Sequence, residues 1–132
     1  MHTLYLIRGL PGSGKSSFAD ILLHTGVVNY SFEADDYFIN ENLEYRFDAS
    51  KLKDAHEWCQ MNTKARLKFD SVVVSNTSTT EKEVETYRKI AEEVGAKFVS
   101  IVVENRHEGK NVHDVPEEAL QRMKNRFTLK LI

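Results

Sequence analysis

The chain has 132 residues, 41% of them apolar and 29% charged, with a formal net charge of −2. This length suits one domain over residues 1–132, with a core large enough to need neither disulfide nor metal staples. The charge balance gives no general coat for nucleic acid, no apolar run is long enough to span a bilayer, and the one cysteine, Cys59, has no partner for an internal disulfide.

Residues 3–8 (TLYLIR) read as a buried first strand. No basic region precedes this apolar stretch as in a secretory leader, so cytoplasmic residence and no membrane partner are the default expectations. Residues 9–14 form a glycine-rich loop, and residues 15–25 a helix stopped by Gly26. Residues 27–32 predict a second strand that ends at the acidic run Glu33-Ala34-Asp35-Asp36. Residues 40–48 are polar and read as a loop. Ser50 is the expected N-cap of a long helix reaching Phe69. Residues 71–75 (SVVVS) form a third strand, apolar throughout its interior and therefore central. Thr80 and Glu83 have capping-box spacing for a helix that ends at Gly95. Residues 97–103 give a fourth strand, residues 104–114 a polar loop, and Pro116 opens a last helix to Phe127. Short apolar runs alternating with longer amphipathic ones predict an α/β fold, a small, mostly parallel sheet with helices on both faces.

Residues 9–16 (GLPGSGKS) satisfy G-x-x-x-x-G-K-[ST] in full, and they lie where that motif must lie, between a strand and a helix. Phosphate oxygens need converging backbone N–H donors. Glycine allows the dihedrals and the close approach, and the helix that follows offers its unpaired N–H groups. Gly9, Pro11, Gly12, Ser13, Gly14, Lys15, Ser16 and Ser17 therefore form the candidate nucleotide cradle of a P-loop NTPase fold. Lys15 would reach the β- and γ-phosphates of ATP, and the Ser16 hydroxyl would ligate Mg²⁺. G-x-G-x-x-G is absent, which argues against a dinucleotide site.

The strand ends of a parallel sheet face the ligand crevice, so Asp35 and Asp36 should point toward the phosphates. A carboxylate there can accept a proton from an attacking hydroxyl. Two adjacent acids rarely share one task; Asp35 is the candidate base and Asp36 the candidate cap.

RGLPGSGKSS at residues 8–17, ADDYF at 34–38, AHEWCQ at 55–60, VVVSNTS at 72–78 and KNVHDVPEEALQRM at 110–123 together resemble a known family. The chain is similar to the kinase domain of phage-type polynucleotide 5′-hydroxyl kinases and to zeta-toxin-like, AAA-type P-loop relatives. The resemblance runs in family order over nearly the whole chain. It implies transfer of the γ-phosphate of ATP to a hydroxyl acceptor, with Asp35 as general base. It also implies that Lys110 stands where the family has a lid arginine and that Arg106 lies near a second lid cation. Four departures are visible, the first being the short stretch 104–109 between strand four and the lid, where the relatives have more residues. Ser75-Asn76-Thr77 carries no carboxylate where the family has S-D-T or D-N-T, Phe38 stands at an arginine position, and the lid cation is lysine. Two readings stay open: a kinase whose acceptor is a nucleic-acid 5′-hydroxyl or a small molecule, and a nucleotide-binding module or switch with little transfer activity.

Three further features read as structural. Cys59 fits a buried, inert thiol. His56 and Gln60 share one helix face, with structural roles favoured, and the basic residues Arg122, Lys124, Arg126 and Lys130 fit a solvated helix end.

Overall fold

Four parallel strands in the order β2-β3-β1-β4 form the centre of the computed structural model, which describes residues 1–106 and 115–131. β1 is Thr3–Arg8, β2 Tyr30–Phe32, β3 Val72–Asn76 and β4 Lys97–Val102. Helix α1 is Lys15–His24, α2 Leu52–Leu67, α3 Glu81–Val94 and α4 Glu117–Arg126. The expected α/β architecture, with helices on both faces of the sheet, is what the chain adopts. Among the described residues, no helix is long and apolar enough to cross a membrane.

Alternation along the central strands decides what each face packs against. Leu4, Leu6, Val72 and Val74 face α2 and α3, where they meet Ala55, Cys59, Leu67, Tyr87 and Ala91. Ile7 and Val73 point the other way, toward Ala19 of α1 and Val28. Every residue of β3 is buried, as its apolar run predicts for a central strand. Each of Val72, Val73 and Val74 contributes roughly 1.5–3 kcal/mol by that burial.

The helix ends follow their sequence signals in one case and depart from them in another. Thr80 Oγ1 accepts from the Glu83 N–H, the Glu83 carboxylate accepts from the Thr80 N–H, and Gly95 ends α3 with φ +73°. Ser50, by contrast, does not cap α2. A 3₁₀ turn at Ala49–Lys51 precedes the helix, and the Asp48 carboxylate caps it, accepting from both the N–H and the hydroxyl of Ser50. The second strand is also shorter than expected. The N–H groups of Val27 and Val28 both donate to the Leu22 carbonyl at the end of α1, so they are unavailable to the sheet, and pairing begins only at Tyr30 opposite Val72.

β2 leads into a second 3₁₀ turn, Ala34–Phe38, and one side chain fixes that turn to the sheet. Asn76, at the end of β3, is 7% exposed. Its Oδ1 accepts from the Ala34 N–H at 2.8 Å, and its Nδ2 donates to Tyr87 Oη at 3.3 Å and toward Cys59 Sγ at 3.8 Å. Replacing it by alanine strands the buried Ala34 N–H and opens a small void. Asn76→Ala should therefore destabilise the protein by about 2–3 kcal/mol in urea unfolding. Burial pushes the Cys59 thiol pKa up. In the native protein at mildly alkaline pH, an aromatic disulfide reagent should leave Cys59 unmodified and should react promptly once denaturant is added.

Candidate functional site

Backbone geometry builds the loop between β1 and α1. Gly12 and Gly14 both have positive φ, 81° and 96°. Gly14 is the N-cap of α1 and supplies no side-chain hydrogen bond, so the first turn of the helix is not capped by its own sequence. Gly9 is required for a different reason: a Cβ there would press on Ser13 Oγ and lie 2.8 Å from the Val103 carbonyl oxygen. Ser13 Oγ is buried and has no hydrogen-bond partner among the described residues. An unsatisfied buried hydroxyl inside a phosphate loop is what a site awaiting an anionic ligand would show.

Ser16, at the head of α1, and Glu33, just after β2, meet at the carboxyl end of the sheet, with Lys15 and Asp35 close to them in the chain. Burial lowers the Lys15 ammonium pKa, and the Glu33 and Asp35 carboxylates oppose that shift. Ser16 Oγ donates to Glu33 Oε1, and Ser75 Oγ donates to the same oxygen at 2.9 Å. Asp35 is half-buried, and its Oδ1 accepts from Tyr45 Oη at 3.4 Å. Burial, and then Asp35, push the Tyr45 pKa up to about 12, so this hydroxyl stays a donor at physiological pH. The N-cap of the 3₁₀ turn is Glu33 and not the expected Asp36, which stands at the third position and reaches back, its Oδ2 accepting from the Glu33 N–H at 3.2 Å. Around Asp35, Tyr37, Phe38, Tyr45, Phe47 and Trp58 meet in edge-to-face contacts, and several of these rings are exposed.

Beside the loop lies a recess of about 670 Å³, bordered by Gly9, Pro11, Val103, Leu120, Lys124 and Phe127. This volume and mixed lining are of the size that takes a small organic ligand. A smaller hollow of about 110 Å³ is bordered by His56, Gln60, Asn76 and Glu83. Arg106 is not gathered into the Lys15 group. Its guanidinium is 82% exposed and pairs with Glu104 at 3.0 Å. Lys110 lies outside the described residues.

Two neighbours of the loop lie outside the G-x-x-x-x-G-K-[ST] motif. Glu33 belongs to no motif, and its role becomes visible only when β2 is laid beside β3, which brings it to Ser75. Arg8 closes the apolar first strand with a charge and is 1% exposed. Its Nε donates to the Ser78 carbonyl at 2.8 Å, Nη2 donates to the Thr128 carbonyl, and the guanidinium lies 4.8 Å from the centre of the Phe127 ring. Nη1 pairs with Glu81 at 3.6 Å. The segment after α4 is thus tied to the strand that carries the P-loop. The Thr128 N–H to the Thr79 carbonyl, the Lys130 N–H to Glu81 and Arg126 Nε to Thr79 Oγ1 add to the tie. The basic C-terminal residues are therefore only partly a solvated face.

A buried parallel strand, a glycine loop and a lysine–serine pair opening a helix define a P-loop domain. The chain belongs to the AAA domain family, whose model matches residues 4–130. It is 32% identical over 129 residues to human NEDD4-binding protein 2, an alignment covering 91% of this chain and 7% of that protein. It is 31% identical over 98 residues to an uncharacterized protein of Pasteurella multocida, covering 64% of this chain and 55% of that one. The chain thus spans a small part of the first relative and about half of the second.

Among solved structures, Chaetomium thermophilum Kti12 in complex with ADP-AlF3 superposes with TM-score 0.68 at 13% identity, over 94% of this chain and 79% of that one. The Pnkp1/Rnl/Hen1 complex gives TM-score 0.64 at 20% identity, over 92% and 38%. Mycobacterium tuberculosis APS kinase CysC with AMPPNP and APS gives 0.58 at 21%, over 92% and 67%. At these identities the likeness is one of fold.

Arg8→Lys keeps the charge but loses the fork that reaches two carbonyls at once. We expect a loss of roughly 2–3 kcal/mol in stability. Faster hydrogen exchange at the Thr128 and Lys130 amides should accompany it, because both sit in the segment that Arg8 holds.

Proposed function

We propose that this chain binds ATP with Mg²⁺ on its P-loop and transfers the γ-phosphate to a hydroxyl acceptor. The observation that carries this reading is the strand–loop–helix P-loop itself, with Gly12 and Gly14 at positive φ and Lys15 and Ser16 opening α1, while Asp35 follows β2 at the same end of the parallel sheet. In the proposed step the acceptor oxygen bonds to the γ-phosphorus, the bond to the β–γ bridging oxygen breaks, and ADP leaves. The hydroxyl proton passes to the Asp35 carboxylate. Charge spreads over the transferring phosphoryl oxygens, so positioning and positive charge do most of the work. Lys15 supplies charge at the phosphates, with Arg106 and Lys110 as candidate lid cations. The recess beside Gly9 and Pro11 is of suitable size for the nucleoside.

The residues present fit a magnesium ion. Ser16 offers a hard oxygen at the head of α1, and the described residues gather no group of three or more His, Cys, Asp or Glu that would hold an ion alone. Mg²⁺ keeps waters and relies on substrate phosphates, and such a sparse protein donor set matches that habit. When bound, the ion would neutralise charge between the β- and γ-phosphates.

The exposed aromatic group beside Asp35 and the absence of an arginine at position 38 favour an acceptor held by stacking more than by phosphate contacts. A second reading, a nucleotide-binding module, rests on one observation. β3 ends in Ser75 and Asn76, neither of them acidic, with Asn76 drawn into the core.

Lys15→Ala should weaken ATP binding by tenfold or more, on the order expected for losing a charge-assisted phosphate contact, as read by titration calorimetry. Asp35→Asn should bind ATP about as well as wild type but transfer labelled γ-phosphate about 10²–10⁴-fold more slowly. If neither wild type nor this variant phosphorylates any of a panel of 5′-hydroxyl oligonucleotides, nucleosides and sugars, the binding-module reading stands instead.

A further inference from the structure

The three acids that follow β2 do different things. Asp36 accepts from the backbone N–H of Glu33, and Asp35 faces Tyr45. Glu33 reaches the P-loop serine. Its Oε1 accepts from Ser16 Oγ and from Ser75 Oγ, so one carboxylate bridges the head of α1 and the end of β3.

That position has a defined chemical use. In P-loop enzymes the metal is held by the loop Ser or Thr and by a carboxylate at a neighbouring strand end. Here β3 runs next to β1 but ends in Ser75-Asn76-Thr77, with no carboxylate. Strand alternation makes the consequence specific. Ser75 shares a sheet face with Val73, the face that α1 covers, whereas Asn76 turns to the opposite face and is spent on Ala34, Tyr87 and Cys59. Ser75 is therefore the β3 residue that looks toward Ser16, and its hydroxyl reaches Glu33 instead of supplying charge itself.

We propose that Glu33 is the metal-side carboxylate of this site, supplied from β2 in place of the acid missing from β3. The inference rests on the nucleotide-binding reading above. By accepting the Ser16 hydroxyl proton, Glu33 orients Ser16 Oγ so that its remaining lone pairs face outward, where Mg²⁺ would sit between loop and phosphates. Ser75 holds the carboxylate in that orientation by donating to the same oxygen.

The test compares the affinity for AMPPNP with Mg²⁺ and in EDTA, with Mn²⁺ replacing Mg²⁺ for electron paramagnetic resonance of the bound ion. Wild type should bind the analogue more tightly with metal. Glu33→Gln, close in shape, should lose about tenfold or more of that metal-dependent gain, the usual cost of removing a group that orients a metal ligand. Its metal-free affinity should not fall, because removing a negative charge near the phosphates favours an anionic ligand. The double variant Glu33→Ser with Ser75→Asp, which moves the carboxylate back to β3, should recover the metal dependence and a wild-type-like Mn²⁺ spectrum. A Glu33→Gln protein with an unchanged metal-dependent gain overturns this inference alone. So does an equal loss of affinity with and without metal, which would mark Glu33 as a loop support only. A wild type that binds no AMPPNP under either condition overturns both this inference and the reading beneath it.

Discussion

Arg8 occupies the last position of β1, directly before the P-loop, and its guanidinium is enclosed by protein. A buried charge survives only when its donors are satisfied, and this one is satisfied from three directions. The Ser78 carbonyl comes from the corner between β3 and α3, and the Thr128 carbonyl and Phe127 ring come from the segment after α4. The third contact is the Glu81 carboxylate, from the head of α3. The C-terminal segment therefore closes onto the strand that launches the loop. The recess beside Gly9 has α4 as one wall because of this closure. A smaller or uncharged residue at position 8 would leave three elements without their shared partner.

Much of the architecture was legible because local and long-range demands agree. The first strand, the P-loop, the third strand and the capping box of α3 all carry signals whose physics is local: apolar runs, glycines at positive φ, and a Thr–Glu reciprocal cap. The errors have competing causes that the sequence does not display. Val27 and Val28 look like strand, but the carbonyl of Leu22 takes their amides before the sheet can. Ser50 looks like a cap, but Asp48, two residues earlier, caps a 3₁₀ turn instead.

The site was legible in a similarly divided way. Gly9 to Ser16 form a contiguous motif, and Asp35 follows from the rule that strand ends face the ligand. Glu33 and Arg8 act through partners 42 and 70 residues away, and no spacing along the chain reports those distances. The absent carboxylate in Ser75-Asn76-Thr77 was the one hint that another element must carry charge to that place. A missing residue can direct a search, but only a folded chain shows where the replacement stands.

Asn76 gives the fold an internal ruler. One amide side chain spans from the 3₁₀ turn bearing Asp35 to Cys59 on α2 and Tyr87 on α3. The turn that bears Asp35 is thus anchored at Ala34 to the helical layer behind the sheet. A bulkier side chain at Cys59 would press on Asn76 and, through the Ala34 N–H, on the 3₁₀ turn that carries Asp35. The position of that turn is therefore sensitive to packing on the far side of the sheet.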